Sequence, residues 1–191
     1  MPRYYVPAEE LRPISIEEID AYISLAKDTD LKVMIATAWL TGNRITELVN
    51  LRKDQVIIDE KERDISFNIM ARKKGGRSQP SFSFSDPFVE SIVLPYFREM
   101  RVGYGEEKSR IFRRGKRSYQ LMLLDLNRKI FGDDTKMYIV FHHLRHSRIT
   151  YLAQILRATQ EEIRAWTGHK TGKWMDYIAA RKVDRFKGKI R

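Results

Sequence analysis

The sequence predicts an α+β domain, mainly helical, with a small antiparallel three-stranded sheet. Three observations carry this. Apolar residues recur at helical spacing over most of the chain. Between residues 55 and 85 the pattern changes to β-branched and aromatic residues that partly alternate with polar ones. No repeat and no long linker divides the 191 residues, and with 42% of them hydrophobic one sizeable core can be buried.

The elements follow in order. Residues 1–13, with Pro2, Pro7 and Pro13, read as an extended segment. Ser15 can cap a helix through "SIEEIDAYISLA", and Glu18 three residues on completes a capping box. "LKVMIATAWL" is apolar nearly all round, as a central helix is. "TGNR" interrupts it, and "ITELVNL" reads as a third, short helix. "QVIID", "DISFNIM" and "SFSFS" are the three strands, with "RKKGGR" as a basic hairpin tip. Asp86 and Pro87 open a helix in which Pro95 predicts a kink or break. "GYGEEKSR" and "RRGKR" read as loops around a short apolar "IF", and Ser118 is expected to cap "YQLMLLDLNRKIF". A helix from about His142 to Ile155 follows, then one opened by a Thr159/Glu162 capping box, then a short one over "GKWMDYIAA". Residues 179–191 form a basic tail, so the chain is read as one domain over 1–191.

Charge narrows the function classes. Thirty-six Lys and Arg against 25 Asp and Glu give a net charge of +11. The excess points to a polyanionic partner, nucleic acid first and an anionic membrane surface second. There is no cysteine, which excludes disulfides and thiolate metal sites. No run approaches the ~20 apolar residues of a membrane helix, and the N-terminus has no apolar signal segment. The composition suits an intracellular compartment.

Three of the four histidines lie in "HHLRH", between residues 142 and 146. On a helix His142 shares a face with Arg145 and with His146. A guanidinium matches phosphate oxygens in bidentate fashion, and a neighbouring imidazole can move a proton near neutral pH. The pair suits attack on phosphorus. A metal site of His142, His146 and His169 is the alternative; it lacks the glutamate of a zincin helix and would set a cation among many Lys and Arg. His146 reads as structural. In "TGNRITELVNL", Arg44 begins a helix and Glu47 can orient it, although an Arg–Glu pair at this spacing is usually a solvated surface pair. Taken by themselves, the hairpin lysines Lys73 and Lys74 read as solubilising charge on an exposed edge rather than as a tip that brings an ammonium to a substrate. Tyr177, eight residues after His169, reads by itself as core.

Taken in order, these segments resemble the catalytic domain of the tyrosine recombinases, the phage integrase family. The matching stretches are "TGNRITELVNL", the hairpin "KKGGR", "HHLRH", "TGH" and Tyr177, spread over about residues 14–178. The resemblance implies that Arg44 and Arg145 clamp a phosphate, that His142 and His169 assist, and that Glu47 supports Arg44. It implies that Lys74, with Lys73 as the close competitor, is a general acid and Tyr177 the nucleophile. Lys73, Arg77, Arg148 and Lys170 are expected to contact DNA. The family's "H-x-L-R-H" segment commonly has an acidic residue where His143 stands here, and nine residues usually separate the later histidine from the tyrosine. The implied function is site-specific recombination or integration through a 3′-phosphotyrosyl intermediate, in a mobile element such as a virus or plasmid. It needs no cofactor and no metal. Double-stranded DNA is the expected partner, with a tetramer on DNA, a monomer when free, no membrane association and no N-terminal core-binding domain. Relaxation of DNA in the manner of a type IB topoisomerase, or DNA binding without catalysis, are the alternatives.

Overall fold

The computed structural model describes residues 13–70, 77–102 and 106–168. The N-terminal segment, the tip of the basic hairpin with Lys73 and Lys74, and everything from His169 onward lie outside the described residues. So do the "GKWMDYIAA" helix, the basic tail, Lys170 and Tyr177.

Helix α1 (Ile16–Leu25) opens with the expected capping box: Ser15 Oγ accepts from the Glu18 amide, and the Glu18 carboxylate accepts from the Ser15 amide. Helix α2 (Thr29–Thr41) starts two residues earlier than its apolar run, because Asp28 accepts the Leu31 amide and caps it. From Leu31 to Thr41 only Lys32 is not buried, so α2 is the central helix its composition predicts. It ends at Gly42, whose φ of +62° is the left-handed conformation that stops a helix most readily at glycine. Helix α3 (Ile45–Leu48) follows directly.

Strands β1 (Val56–Asp59), β2 (Asp64–Phe67) and β5 (Ser81–Ser83) form the expected antiparallel sheet, in the order β1-β2-β5. The run "DISFNIM" does not continue as one strand. It divides at Asn68, and β3 (Ile69–Met70) pairs with β4 (Arg77–Ser78) in a separate two-stranded ribbon. Pro80 accounts for the division. It lies between β4 and β5 and has no N–H to give, so only its carbonyl is used, by the Phe67 amide. The hairpin therefore stands on its own ribbon beside the sheet, with Ile69 opposite Ser78 and Met70 opposite Arg77.

Pro95 acts as expected, through a particular device. A π-helical turn (Val89–Val93) precedes helix α4 (Leu94–Val102), and the Leu94 amide reaches back to the Val89 carbonyl. The extra residue absorbs the hydrogen bond that Pro95 cannot make. Helix α5 (Lys116–Phe131) departs from expectation at its start. Gly115 is the N-cap and no side chain caps the helix; Ser118 lies inside the first turn, with its hydroxyl toward Met122 Sδ. Helices α6 (Phe141–Gln154) and α7 (Gln160–Thr167) complete the described chain, the second opened by the predicted Thr159/Glu162 box.

Six aromatic rings run in edge contact from α7 through the sheet to α4 and α5: Trp166, Phe82, Phe67, Phe97, Phe112 and Tyr119, with centroids 5.1–6.1 Å apart. The way into α6 is fixed by one buried amide. Asn127 donates to the Ile139 carbonyl at 2.8 Å, accepts from the Ile139 amide at 3.0 Å and also accepts the Tyr22 hydroxyl. It does for the loop before α6 what a neighbouring strand would do.

Asn127→Leu fills nearly the same volume but strands three buried polar groups. Urea denaturation should show a loss of about 2–4 kcal/mol. Lys129→Ala, which breaks an exposed pair with Asp125 on the same helix, should stay within about 0.5 kcal/mol of the parent.

Candidate active site

The candidate site lies where α2, α3, α6, α7 and the hairpin ribbon meet. Arg44 stands at the N-cap of α3, and Glu47 holds it twice. One carboxylate oxygen accepts the Arg44 amide at 2.8 Å, and the other accepts its guanidinium at 3.0 Å. The pair is not the solvated one its spacing ordinarily gives: the Glu47 side chain is 2% exposed, whereas that of Arg44 is 41% exposed. A buried carboxylate thus fixes the root of a guanidinium that faces solvent.

Helix α6 supplies His142 and Arg145. Its first turn is set by His143, whose Nδ1 accepts the Val140 amide at 2.9 Å. An acidic side chain at this third helical position would make the same hydrogen bond, so the imidazole takes over that capping task. Arg145 is 2% exposed. Its guanidinium donates to the Gly42 carbonyl at the end of α2, and to the Thr167 carbonyl at the end of α7 at 3.4 Å. Both acceptors sit at helix C-termini, where the backbone dipoles favour a cation.

His142 is exposed at the start of the same helix. Burial of one side of the ring, then the charges of Arg145 and Arg44, hold its pKa below the ordinary imidazole value. His142, Arg145 and Arg44 are therefore within electrostatic reach of one another, and the imidazole is kept neutral and able to accept a proton at pH 7. His146 is buried, in keeping with a structural part. Among the described residues no three His, Asp or Glu side chains come together as a metal site would need, while His169 of the alternative triad lies beyond them.

The hairpin reaches this centre through its base. Ser78 donates its hydroxyl to the Trp166 carbonyl and accepts the side-chain amide of Asn43 at 3.0 Å; the Gln79 amide donates to the Ala165 carbonyl at 3.3 Å. The last four carbonyls of a helix have no partner within it. In α7 they are met by Gly168 at Arg164, Gln79 at Ala165, Ser78 at Trp166 and Arg145 at Thr167. Gly168, with φ of +68°, then turns the chain toward His169. Sequence reasoning missed Asn43, Ser78 and Gln79, because a side chain that pairs across 35 or 88 positions, or a backbone amide such as that of Gln79 that pairs with distant Ala165, carries no local signal.

Of the four cations expected on DNA, Arg77 is exposed at the hairpin base. Arg148 is not at the surface. It is 7% exposed, with its guanidinium turned inward among aromatic rings.

Neither a protein-family model nor a curated protein sequence matches the chain. Solved structures do match it, at low identity. The whole chain aligns with 68% of the XerA recombinase at 19% identity and a TM-score of 0.69. It covers 67% of the Tn1549 transposon integrase solved with circular intermediate DNA (97% of this chain, 16% identity, TM-score 0.61). It covers 47% of the lambda integrase solved as a tetramer on a Holliday junction (84% of this chain, 16% identity, TM-score 0.59). The chain thus spans from about half to about two thirds of the length of these solved chains. The fold is that of the tyrosine recombinase catalytic domain, mainly helical with small antiparallel sheets.

The depressed pKa of His142 has a measurable sign. By NMR titration its midpoint should lie below about 6.5. Arg44→Gln should raise it without restoring the ordinary value, because burial is the larger cause. The unfolded chain takes up this proton more readily than the folded one. The contribution to stability is therefore intact above about pH 6.5 and declines as the pH falls through the folded value. In His142→Gln that part of the acid dependence should vanish.

Proposed function

We propose that the chain is the catalytic domain of a site-specific DNA recombinase or integrase. The observation that supports this best is the convergence just described. Arg44, His142, Arg145, the hairpin base and the turn before His169 come from segments up to 124 positions apart, and they meet in one place. The fold they meet in is shared with DNA recombinases.

In this reading the Tyr177 oxygen attacks the scissile phosphorus. A new phosphorus–oxygen bond forms as the bond to the 5′-oxygen breaks, and the product is a 3′-phosphotyrosyl link with a free 5′-hydroxyl. The reverse step, with a different 5′-hydroxyl, rejoins the strand. The ester keeps the energy of the broken bond, so no nucleotide is consumed. Arg44 and Arg145 stabilise charge on the non-bridging oxygens of the transition state. His142, kept neutral by its surroundings, accepts the tyrosine proton. His169 donates a hydrogen bond to the phosphate, and Lys74 protonates the leaving 5′-oxygen, with Lys73 as its rival. Arg77, Lys170 and the unused hairpin lysine contact the DNA backbone. Double-stranded DNA is the partner, and the active assembly is a tetramer on it.

A nicked suicide substrate tests the reading, because it traps the covalent intermediate. The parent protein should give an adduct that survives boiling in detergent. Tyr177→Phe should give none while still binding DNA. An adduct from Tyr177→Phe at the parent yield would remove Tyr177 from the mechanism. With two arginines in the charge-stabilising role, cleavage should continue in excess EDTA; loss restored by a divalent ion would favour the three-histidine metal site. A 5′-bridging phosphorothiolate, whose sulfur leaves without a proton, should rescue Lys74→Ala. Rescue of Lys73→Ala instead would reassign the acid.

A further inference from the structure

Arg148 has no part in the chemistry above, yet it occupies the point at which the site's supporting segments touch. Four rings surround its guanidinium carbon: Trp166 at 5.2 Å, Tyr151 at 5.4 Å, Trp39 at 5.6 Å and Phe82 at 5.8 Å. They come from α7, α6, α2 and β5. The stem of the side chain runs beside Gly42. A Cβ placed there would lie 3.4 Å from Arg148 Cγ and 3.5 Å from Thr167 Cγ2. Arg148 thus packs on the turn that leads to Arg44, on the helix end that leads to His169, and on the strand that follows the hairpin.

Its environment is unusual for a cation. Among the described residues no carboxylate is in ion-pair contact with it, and its Nε has no hydrogen-bond partner. Burial lowers its pKa to about 10, partly opposed by the charge of Asp86. What compensates the lost hydration is the negative face of the rings, an attraction that grows when water is excluded. A guanidinium suits this place because its plane can stack on a ring while its N–H edge meets others. Trp166 is in turn held from three sides: its indole donates to the Leu40 carbonyl at 3.1 Å, its ring meets Phe82 at 5.1 Å, and its carbonyl accepts Ser78.

The geometry points to Arg148 as a positioning residue: its guanidinium holds Trp166, and with it the last turn of α7 and the hairpin base, in register with Gly42 and Arg145. This rests on the recombinase reading for its effect on rate, but not for its effect on structure. Arg148 acts on the reacting groups only through the segments it joins.

Arg148→Met keeps the stem beside Gly42 and removes the charge and the plane. Replacing a buried charge by an apolar side chain of similar size often leaves stability unharmed. The thermal midpoint should therefore be nearly retained. Amide hydrogen exchange at Gln79 and Gly168 should accelerate, while exchange in α1 is unchanged. At saturating DNA, adduct formation on the suicide substrate should slow by about tenfold to a hundredfold, as displaced reacting groups do. DNA affinity and its salt dependence should stay at the parent values. If the salt slope instead falls by about one, Arg148 contacts a phosphate and the inference is overturned. Unchanged exchange at Gln79 and Gly168 overturns it as well. Should Arg148→Met fail to fold, Arg148→Lys carries the same measurements, since an ammonium keeps the charge but loses the plane that stacks on the rings. A parent protein that forms no adduct at all refutes the recombinase reading, and the exchange result still decides the role of Arg148.

Discussion

A buried guanidinium between two helix ends is the contact on which the candidate site depends. Arg145 is nearly inaccessible, and an enclosed charge is tolerated only with strong partners. It finds them in the carbonyls of Gly42 and Thr167, which belong to helices 125 positions apart in the chain. Each bond joins a full charge to the negative end of a helix; the bond to Gly42 is short and that to Thr167 spans 3.4 Å. One side chain thereby holds the ends of α2 and α7 together. Whatever follows those ends, Arg44 in one case and His169 in the other, leaves from a common point.

The C-terminal turn of α7 extends the same logic to the hairpin. Two of its four orphan carbonyls are satisfied by Ser78 and Gln79, and Ser78 is also bound by Asn43. The hairpin ribbon is separate from the main sheet because Pro80 breaks the ladder. It is anchored instead to α7 and to the turn before Arg44. The base of the hairpin is thus joined to elements that belong to the site, and the sheet serves mainly as a wall of the core. Arg148 fills the space that remains, over the rings of Trp39, Phe82, Tyr151 and Trp166.

Glu47 and Arg148 show why sequence spacing misjudges charged residues. An arginine and a glutamate three apart on a short helix are ordinarily a solvated pair, but Glu47 is buried because α3 packs its first turn inward against the core. Arg148 follows His142 and Arg145 on α6 and carries the charge expected of a DNA contact. It points inward because apolar rings from three other elements enclose that side of the helix. Neither outcome follows from the local pattern; both depend on which neighbours the fold brings up.

The sequence by itself determined where α1, α2 and α7 lie and which side chains cap α1 and α7. Ser15 with Glu18 and Thr159 with Glu162 act over three residues, and the apolar surface of α2 is a property of its own composition. It also determined the sheet and the order of the chemical motifs, since residue types and turn signals are local. The tertiary structure alone decided which distant groups pair. Ser118 was displaced as a cap because α5 begins earlier, at Gly115. Asn127 holds Ile139, Ser78 holds Trp166, and Arg145 spans two helix ends. The physical reason is common to these long-range pairings. A buried polar group must find a partner, and the chain does not specify how far along itself that partner lies.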